Sequence, residues 1–168
     1  MSCGCPRPLL LDVDLPFLIE TVLPHVLAEV ARVSDMRDRE GGMFVLMRAV
    51  TGEIIVGPKQ VGQINNGKED KYAEFAQEKP VRLLEHPDHC LSWESRDPDN
   101  NKWGGAVNDG LFVWSFSGLS EEQDEALVLM ASHLCGRIRN GDPKAMAEIS
   151  NNRIIIDNPY LFWCPRES

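Results

Sequence analysis

The chain has 168 residues, of which 43% are hydrophobic, so it is long enough for one domain with a sizeable buried core. Its formal net charge is −9 at pH 7 and it has no run of Lys and Arg, so nucleic acid is not expected as a partner. No stretch approaches the ~20 apolar residues of a membrane-spanning helix. The five Cys are scattered and no secretion signal is recognisable at the N-terminus, so we expect a cytoplasmic protein with reduced thiols.

A helix is predicted directly after an N-terminal arm of residues 1–13. Asp14 is placed to cap this helix, and apolar side chains then recur along one arc at about 100° per residue. Pro24 lies inside the pattern, so we expect a kink or a helix that restarts near Leu23.

Two short strands are predicted next, MFVLMRAV and TGEIIVG, around a turn at Thr51 and Gly52. The following PKQVGQINNG is expected to be a loop. Residues 68–86, KEDKYAEFAQEKPVRLLEH, have a helical pattern, which Pro80 is expected to break or restart. HCLSWES is expected to be a short strand.

A second hairpin is predicted from KWGGAV, the turn NDG and LFVWSFS. In the last of these strands Phe112, Trp114 and Phe116 point to one face, and the intervening residues point to the other. The aromatic face and the mixed face together predict a central strand that is covered on both sides.

The C-terminal third begins with a capping box, in which Ser120 caps a helix and Gln123 lies three residues later. This helix is expected to run to about Arg139. RIIID is expected to be a strand, and the aromatic residues at 160–163 need cover from the same domain or from a second subunit. The order of helices and antiparallel hairpins predicts an α+β fold.

The stretch FSGLSEEQDE raises the question of a serine nucleophile. The strained turn of α/β-hydrolases reads G-x-S-x-G, and Ser117-Gly118 has neither this spacing nor a parallel sheet around it. Gly118 as a turn residue and Ser120 as a helix cap explain the pattern more simply. The acidic residues that follow suit the positive end of the helix dipole. We interpret the stretch as structural.

Two other groups of residues are candidates for binding chemistry. His86, His89 and Cys90 offer two or three ligands to zinc or a similar metal, although no standard zinc spacing is completed elsewhere in the chain. His25 lies at the border of the apolar arc of the first helix, where a neutral imidazole is a candidate axial ligand for haem iron. The alternative for each is an ordinary surface or half-buried histidine.

The region from Lys102 to Leu134 resembles the haem-degrading HbpS-like (GlcG-like) family, which also forms the C-terminal domain of PduO-type adenosyltransferases. The family reads G-G-P-[IV], a D-G turn, a strand that ends in S-G and then an acid-rich helix start. The chain has GGAV, DG, SG and EEQDE in these places. Upstream, Lys68 and Phe75 keep the separation of a Lys and a Phe in a helix of the family. The resemblance covers residues 15–139.

The resemblance implies a profilin-like fold, in which helices flank a central antiparallel sheet, and assembly into homo-oligomers. It divides the chain into the arm of residues 1–13, a domain of residues 14–139 and a C-terminal extension of residues 140–168. Some members of the family bind haem, so haem or a related tetrapyrrole is the ligand that the resemblance implies.

Three hypotheses follow. The first is a non-enzymatic, oligomeric protein that binds a small molecule, with haem or a related tetrapyrrole as the leading ligand. His25 is its axial ligand, and four residues form the pocket walls: Gly104, Gly105, Ser117 and Gly118. The second is a metal-dependent enzyme that uses His86, His89 and Cys90. The third is a structural or assembly protein without a ligand, which docks through its aromatic C-terminal tail.

Overall fold

The structure, a computed structural model, describes residues 13–138 and 142–162. Residues 1–12 of the expected N-terminal arm and the end of the aromatic tail lie outside the described residues. The first half of the described chain contains α1 (Leu15–Phe17), a π-helical turn (Leu18–Val22), α2 (Leu23–Val33), β1 (Glu40–Arg48), β2 (Ile54–Gln63) and α3 (Glu69–Leu84). Two 3-10 turns (Ser92–Ser95 and Pro98–Asn100), β3 (Ala106–Asn108), β4 (Phe112–Ser117), α4 (Glu121–Leu134), α5 (Asp142–Ser150), α6 (Arg153–Asp157) and a last 3-10 turn (Pro159–Phe162) follow.

The four strands form one antiparallel sheet in the order β2-β1-β4-β3. β1 and β4 are the central pair, with Met43 opposite Ser117 and Arg48 opposite Phe112. The predicted α+β fold, a central antiparallel sheet with flanking helices, is confirmed.

Both faces of the sheet are covered, as the pattern of β4 predicts. Every residue of β4 is buried. Trp114 and its even-numbered neighbours belong to the main core cluster, together with residues of α2 and α4. On the opposite face Val113 packs with Leu83 of α3. Since α3 crosses all four strands, it forms a layer of its own on that face.

The first helical segment follows its sequence pattern closely. Asp14 accepts a hydrogen bond from the backbone N–H of Phe17 and caps the segment. Pro24 has no N–H to donate, and the chain passes through a π-helical turn directly before it. α2 then begins at Leu23, which confirms the predicted restart.

The first hairpin is longer than predicted. β2 extends to Gln63 and includes residues that were expected to form a loop. Pro58 is accommodated because β2 is an edge strand and Pro58 has no partner in β1. The pairing of the two strands shifts register between Phe44 and Leu46, which leaves Pro58 out of the ladder.

Two expectations about the middle of the chain are wrong, the break at Pro80 and the strand HCLSWES. α3 continues through Pro80, which is buried, because the helix packs on all four strands of the sheet. HCLSWES does not form a strand: Leu91 makes a single bridge to Val107, and a 3-10 turn follows. The carboxylate of Glu94 accepts the backbone N–H groups of Cys90 and Leu91, which stabilises this turn.

The end of α4 and the segment RIIID also differ from expectation. α4 ends at Leu134, five residues early, because Gly136 stops it: the N–H of Gly136 bonds to His133 and that of Arg137 to Ser132, a Schellman motif. RIIID is α6, a short helix whose first N–H groups bond to the carboxylate of Glu122. Ile154, Ile155 and Leu161 belong to the main core cluster. Within the described residues, no helix is both long and apolar enough to cross a membrane.

Candidate functional site

A cavity of about 290 Å³ lies between α3 and the connection from β4 to α4. Ser117, Gly118, Leu119 and Ser120 form its wall on the side of this connection. Gly118 is required there, because a Cβ at this position would lie 2.5 Å from the Gly41 carbonyl oxygen of the neighbouring strand. The close approach of β1 therefore shapes the wall.

A buried ion pair forms the floor of the cavity. Lys79 of α3 and Asp124 of α4 both line it, and their side chains are 2% and 4% exposed. Lys79 Nζ donates to the Phe116 carbonyl oxygen at 2.6 Å and to Asp124 Oδ2 at 3.3 Å. The other oxygen of Asp124 accepts the backbone N–H of Leu119 at 3.0 Å.

Burial changes the protonation chemistry of this pair. Desolvation lowers the pKa of Lys79 and raises the pKa of Asp124, because a low-dielectric environment disfavours both charged forms. The attraction between the two groups opposes both shifts. Burial thus disfavours the charged form of each group, and the opposite charge of the partner favours it.

Gly105 makes room for the pair. A Cβ at this position would lie 2.7 Å from Lys79 Nζ and 2.7 Å from the Cβ of Asp124. The backbone of Gly105 also accepts the N–H of Phe116, which fixes it beside the end of β4. A residue with a side chain would therefore displace the amine or the carboxylate.

The remaining lining is cationic and aromatic. Arg39, Lys68 and Lys71 are exposed and line the cavity, which places them at its rim. Arg39 is held in place by a hydrogen bond from Nη1 to the Leu119 carbonyl oxygen at 2.8 Å. Tyr72, Phe75 and Trp103 supply aromatic surface, and Lys71 Nζ lies 5.6 Å from the centre of the Phe75 ring. This combination is suited to a small anion with an apolar part.

Arg82 fixes the loop that carries Trp103. It is buried on α3 and donates to the carbonyl oxygen of Ser92 at 2.9 Å, to Ser95 Oγ at 2.7 Å and to the Trp103 carbonyl. Glu78, one turn earlier, accepts from Arg82 Nε at 3.0 Å. Trp103 is therefore held on α3, where it lines the same cavity as Lys79.

The acidic residues at the start of α4 have individual tertiary partners. The capping box of Ser120 and Gln123 is confirmed by both of its hydrogen bonds. Glu121 accepts from Arg96 at 2.7 Å and from the backbone N–H of Gly104 at 2.8 Å. The interpretation of these residues as dipole partners is therefore incomplete, because they also hold neighbouring segments in place.

Two of the four predicted wall residues line this cavity, and the other two lie beside residues that line it. Ser117 and Gly118 line it, Gly105 lies against the ion pair on its floor, and Gly104 is bonded to Glu121 of the lining. His25 is exposed on α2 and is not among the lining residues. The structure thus brings the glycines and the serine together but places His25 elsewhere.

The predicted metal ligands lie in the turn after α3. The rings of His86 and His89 are stacked, with their centres 4.6 Å apart, and Cys90 is exposed. Within residues 13–138 and 142–162, no three His, Cys, Asp or Glu side chains are arranged to hold a metal ion. The set of His86, His89 and Cys90 is therefore not assembled as a metal site.

The most informative side chain, Lys79, was not singled out by sequence reasoning. The signal was present: Tyr72, Ala76, Lys79 and Leu83 recur at helical spacing and form the buried stripe of α3. A lysine in such a stripe requires a buried partner. Its partner, Asp124, was hidden among four acidic residues at a helix start.

Several residues that carry the family resemblance also lie at the cavity. Lys68 and Phe75, from the upstream motif, line it together with Ser117, Gly118 and Asp124 from the downstream motif. The two motifs are far apart in the chain and meet only in the folded molecule. Comparison of the chain with protein-family models, curated proteins and solved structures gave no match.

Proposed function

We propose that this chain binds a small anionic molecule in the cavity between α3 and α4, and that it belongs to the HbpS-like (GlcG-like) family. The observation that carries the proposal is the charge of the lining. Among the described residues, four basic side chains line the cavity, Arg39, Lys68, Lys71 and Lys79, against two acidic ones, Glu121 and Asp124. The whole chain has a net charge of −9, so this excess of positive charge is local.

The two acids of the lining are already engaged, which leaves the rim free to bind an anion. Glu121 is paired with Arg96, and Asp124 is paired with Lys79. The exposed cations of the rim can attract an anion over about 10 Å at moderate ionic strength. The aromatic wall then provides contact for the apolar part of the molecule.

The size of the cavity favours a small metabolite over a tetrapyrrole. Its volume of about 290 Å³ lies at the lower end of the ~300–1,000 Å³ range of small-molecule sites. Within the part of the chain that the structure describes, no histidine lines the cavity to act as an axial ligand of haem iron. Haem, which the resemblance implies, is therefore tested as one probe among several. Assembly into a homo-oligomer is also part of the proposal and is tested by light scattering.

The proposal is tested by calorimetric titration of the full chain with pyruvate, 2-oxoglutarate, pyridoxal phosphate, inorganic phosphate and haemin. We expect at least one of the small anions to bind, with an affinity that falls as salt is added. A double variant, Lys68→Gln with Lys71→Gln, should weaken this binding about tenfold, since two cations of the rim are lost.

A charge-matched control keeps the test specific to the cavity. Lys59 on β2 and Lys144 on α5 are exposed and outside the lining, so Lys59→Gln with Lys144→Gln changes the net charge equally. This control should bind like the unaltered chain. Failure of every small anion to bind, or equal weakening in both double variants, would contradict the proposed site. A haemin absorption change that is lost in His25→Ala would instead support the tetrapyrrole.

A further inference from the structure

Lys79 has more hydrogen-bonding capacity than its protein partners use. An ammonium group carries three donors. Among the described residues, Nζ has two acceptors within hydrogen-bond distance, the Phe116 carbonyl oxygen at 2.6 Å and Asp124 Oδ2 at 3.3 Å. The side chain is 2% exposed, and the free space beside it is the cavity that it lines. The third donor of Nζ therefore has no acceptor among the described residues, and the cavity that Lys79 lines is the place where a ligand or water can accept it.

The surroundings of Nζ match those of an amine that acts as a nucleophile. A lysine reacts with a carbonyl group in its uncharged form, which a desolvated site favours. Desolvation lowers the pKa of Lys79 and raises that of Asp124, and both shifts favour transfer of the proton from the amine to the carboxylate. Lys68 and Lys71 have no comparable burial, and their place at the rim suits them to hold the anionic group of a ligand.

We propose that Lys79 forms a reversible imine with an anionic carbonyl compound, a 2-oxo acid or a phosphorylated aldehyde, bound in this cavity. The inference rests on the proposed function and identifies the chemical class of its ligand. The rim binds the carboxylate or phosphate, and the carbonyl carbon reaches the floor, where the amine and its carboxylic acid partner lie side by side.

The reaction balances without a further reactant. The lone pair of Nζ forms a bond to the carbonyl carbon, and the carbonyl oxygen becomes a hydroxyl group as the proton on nitrogen is transferred to it. Asp124 then protonates this hydroxyl group, the carbon–oxygen bond breaks and water leaves. The product is a carbon–nitrogen double bond to Lys79, and addition of water reverses the sequence.

The test is reductive trapping of the full chain. The protein is incubated with pyruvate or with pyridoxal phosphate in the presence of cyanoborohydride, which reduces an imine to a stable amine. We expect the mass of the protein to increase by one reduced adduct per chain. Peptide mapping should place this adduct on Lys79 of the unaltered protein. This mapping does not depend on whether a variant folds.

Variants identify the roles of the two floor residues. Lys59→Met, at an exposed lysine outside the lining, should keep the adduct on Lys79, whereas Lys79→Met should lose it. Asp124→Asn should slow trapping about 100-fold, because it removes the group that protonates the leaving hydroxyl. Binding should change far less than trapping in this variant.

Binding and trapping fail independently. A probe that binds by calorimetry but leaves no reduced adduct, or labels exposed lysines alone, would overturn the imine and leave Lys79 as the structural partner of Asp124. Failure of every small anion to bind would overturn the proposed function and the imine together.

Discussion

Lys79 Nζ and Asp124 Oδ2 lie 3.3 Å apart, and this pair joins α3 on one face of the sheet to α4 at the far end of β4. Since both side chains are almost fully buried, the pair decides the stability of the junction as well as the chemistry of the cavity floor. Burial of two charges is costly unless each has its partner.

Removal of one member of this pair should destabilise the protein strongly. Lys79→Met leaves Asp124 without its cation, and we expect a loss of about 3–5 kcal/mol in the free energy of unfolding. The double variant Lys79→Met with Asp124→Leu should recover most of this loss, because no uncompensated charge remains buried. Urea unfolding of Lys79→Met, Asp124→Leu and the double variant measures the coupling free energy between the two side chains. Additive losses would show that the two groups do not act as a pair.

Glu125 should make the stability of the protein depend on pH. Burial raises the pKa of this carboxyl from 4.5 to about 7, although Ser150 and Asn152 donate hydrogen bonds to one of its oxygens. Its other oxygen, Oε1, and Asn152 Oδ1 are both buried without a hydrogen-bond partner among the described residues. Since neither of these two oxygens receives a hydrogen bond, the negative charge of Glu125 is poorly stabilised and its protonated form is favoured.

The folded protein therefore binds a proton at Glu125 more tightly than the unfolded chain does. Stability from this group is fully present below pH ~4.5 and is lost as the pH rises through about 7, at a cost of about 3 kcal/mol. Glu125→Gln cannot ionise and should remove this slope, so that the variant is more stable than the unaltered chain at pH 8. Thermal unfolding between pH 5 and 8 measures both curves, and parallel curves would contradict the assignment.

Gly105 should tolerate no side chain. Gly105→Ala places a Cβ 2.7 Å from Lys79 Nζ, so we expect both weaker binding in the cavity and a loss of about 2–4 kcal/mol from crowding and backbone strain. Gly110 is the matched control, because it also has a positive φ but no atom lies within 4 Å of its Cβ position. Gly110→Ala should cost about 1 kcal/mol, from strain alone, and leave binding unchanged. Chemical unfolding and calorimetry compare the two variants.

The sequence by itself was sufficient for the α+β class and for the elements that local interactions specify. The hairpin turns, the cap at Asp14, the restart at Leu23 and the capping box of Ser120 and Gln123 depend on residues within four positions of each other. Alternation of aromatic and smaller side chains was also sufficient to place β4 in the centre of the sheet, since burial on both faces leaves no polar side.

Tertiary contacts decided the features that the sequence misassigned or left open. α3 continues through Pro80 because it packs on all four strands of the sheet, and RIIID is helical because Glu122 of α4 accepts its first N–H groups. The cavity floor shows the same dependence most clearly. Lys79 and Asp124 are 45 positions apart in the chain, and in isolation each looks like a solvated charge. Only the packing of α3 and α4 at the end of β4 removes both from water, and that desolvation creates the candidate chemistry of the site.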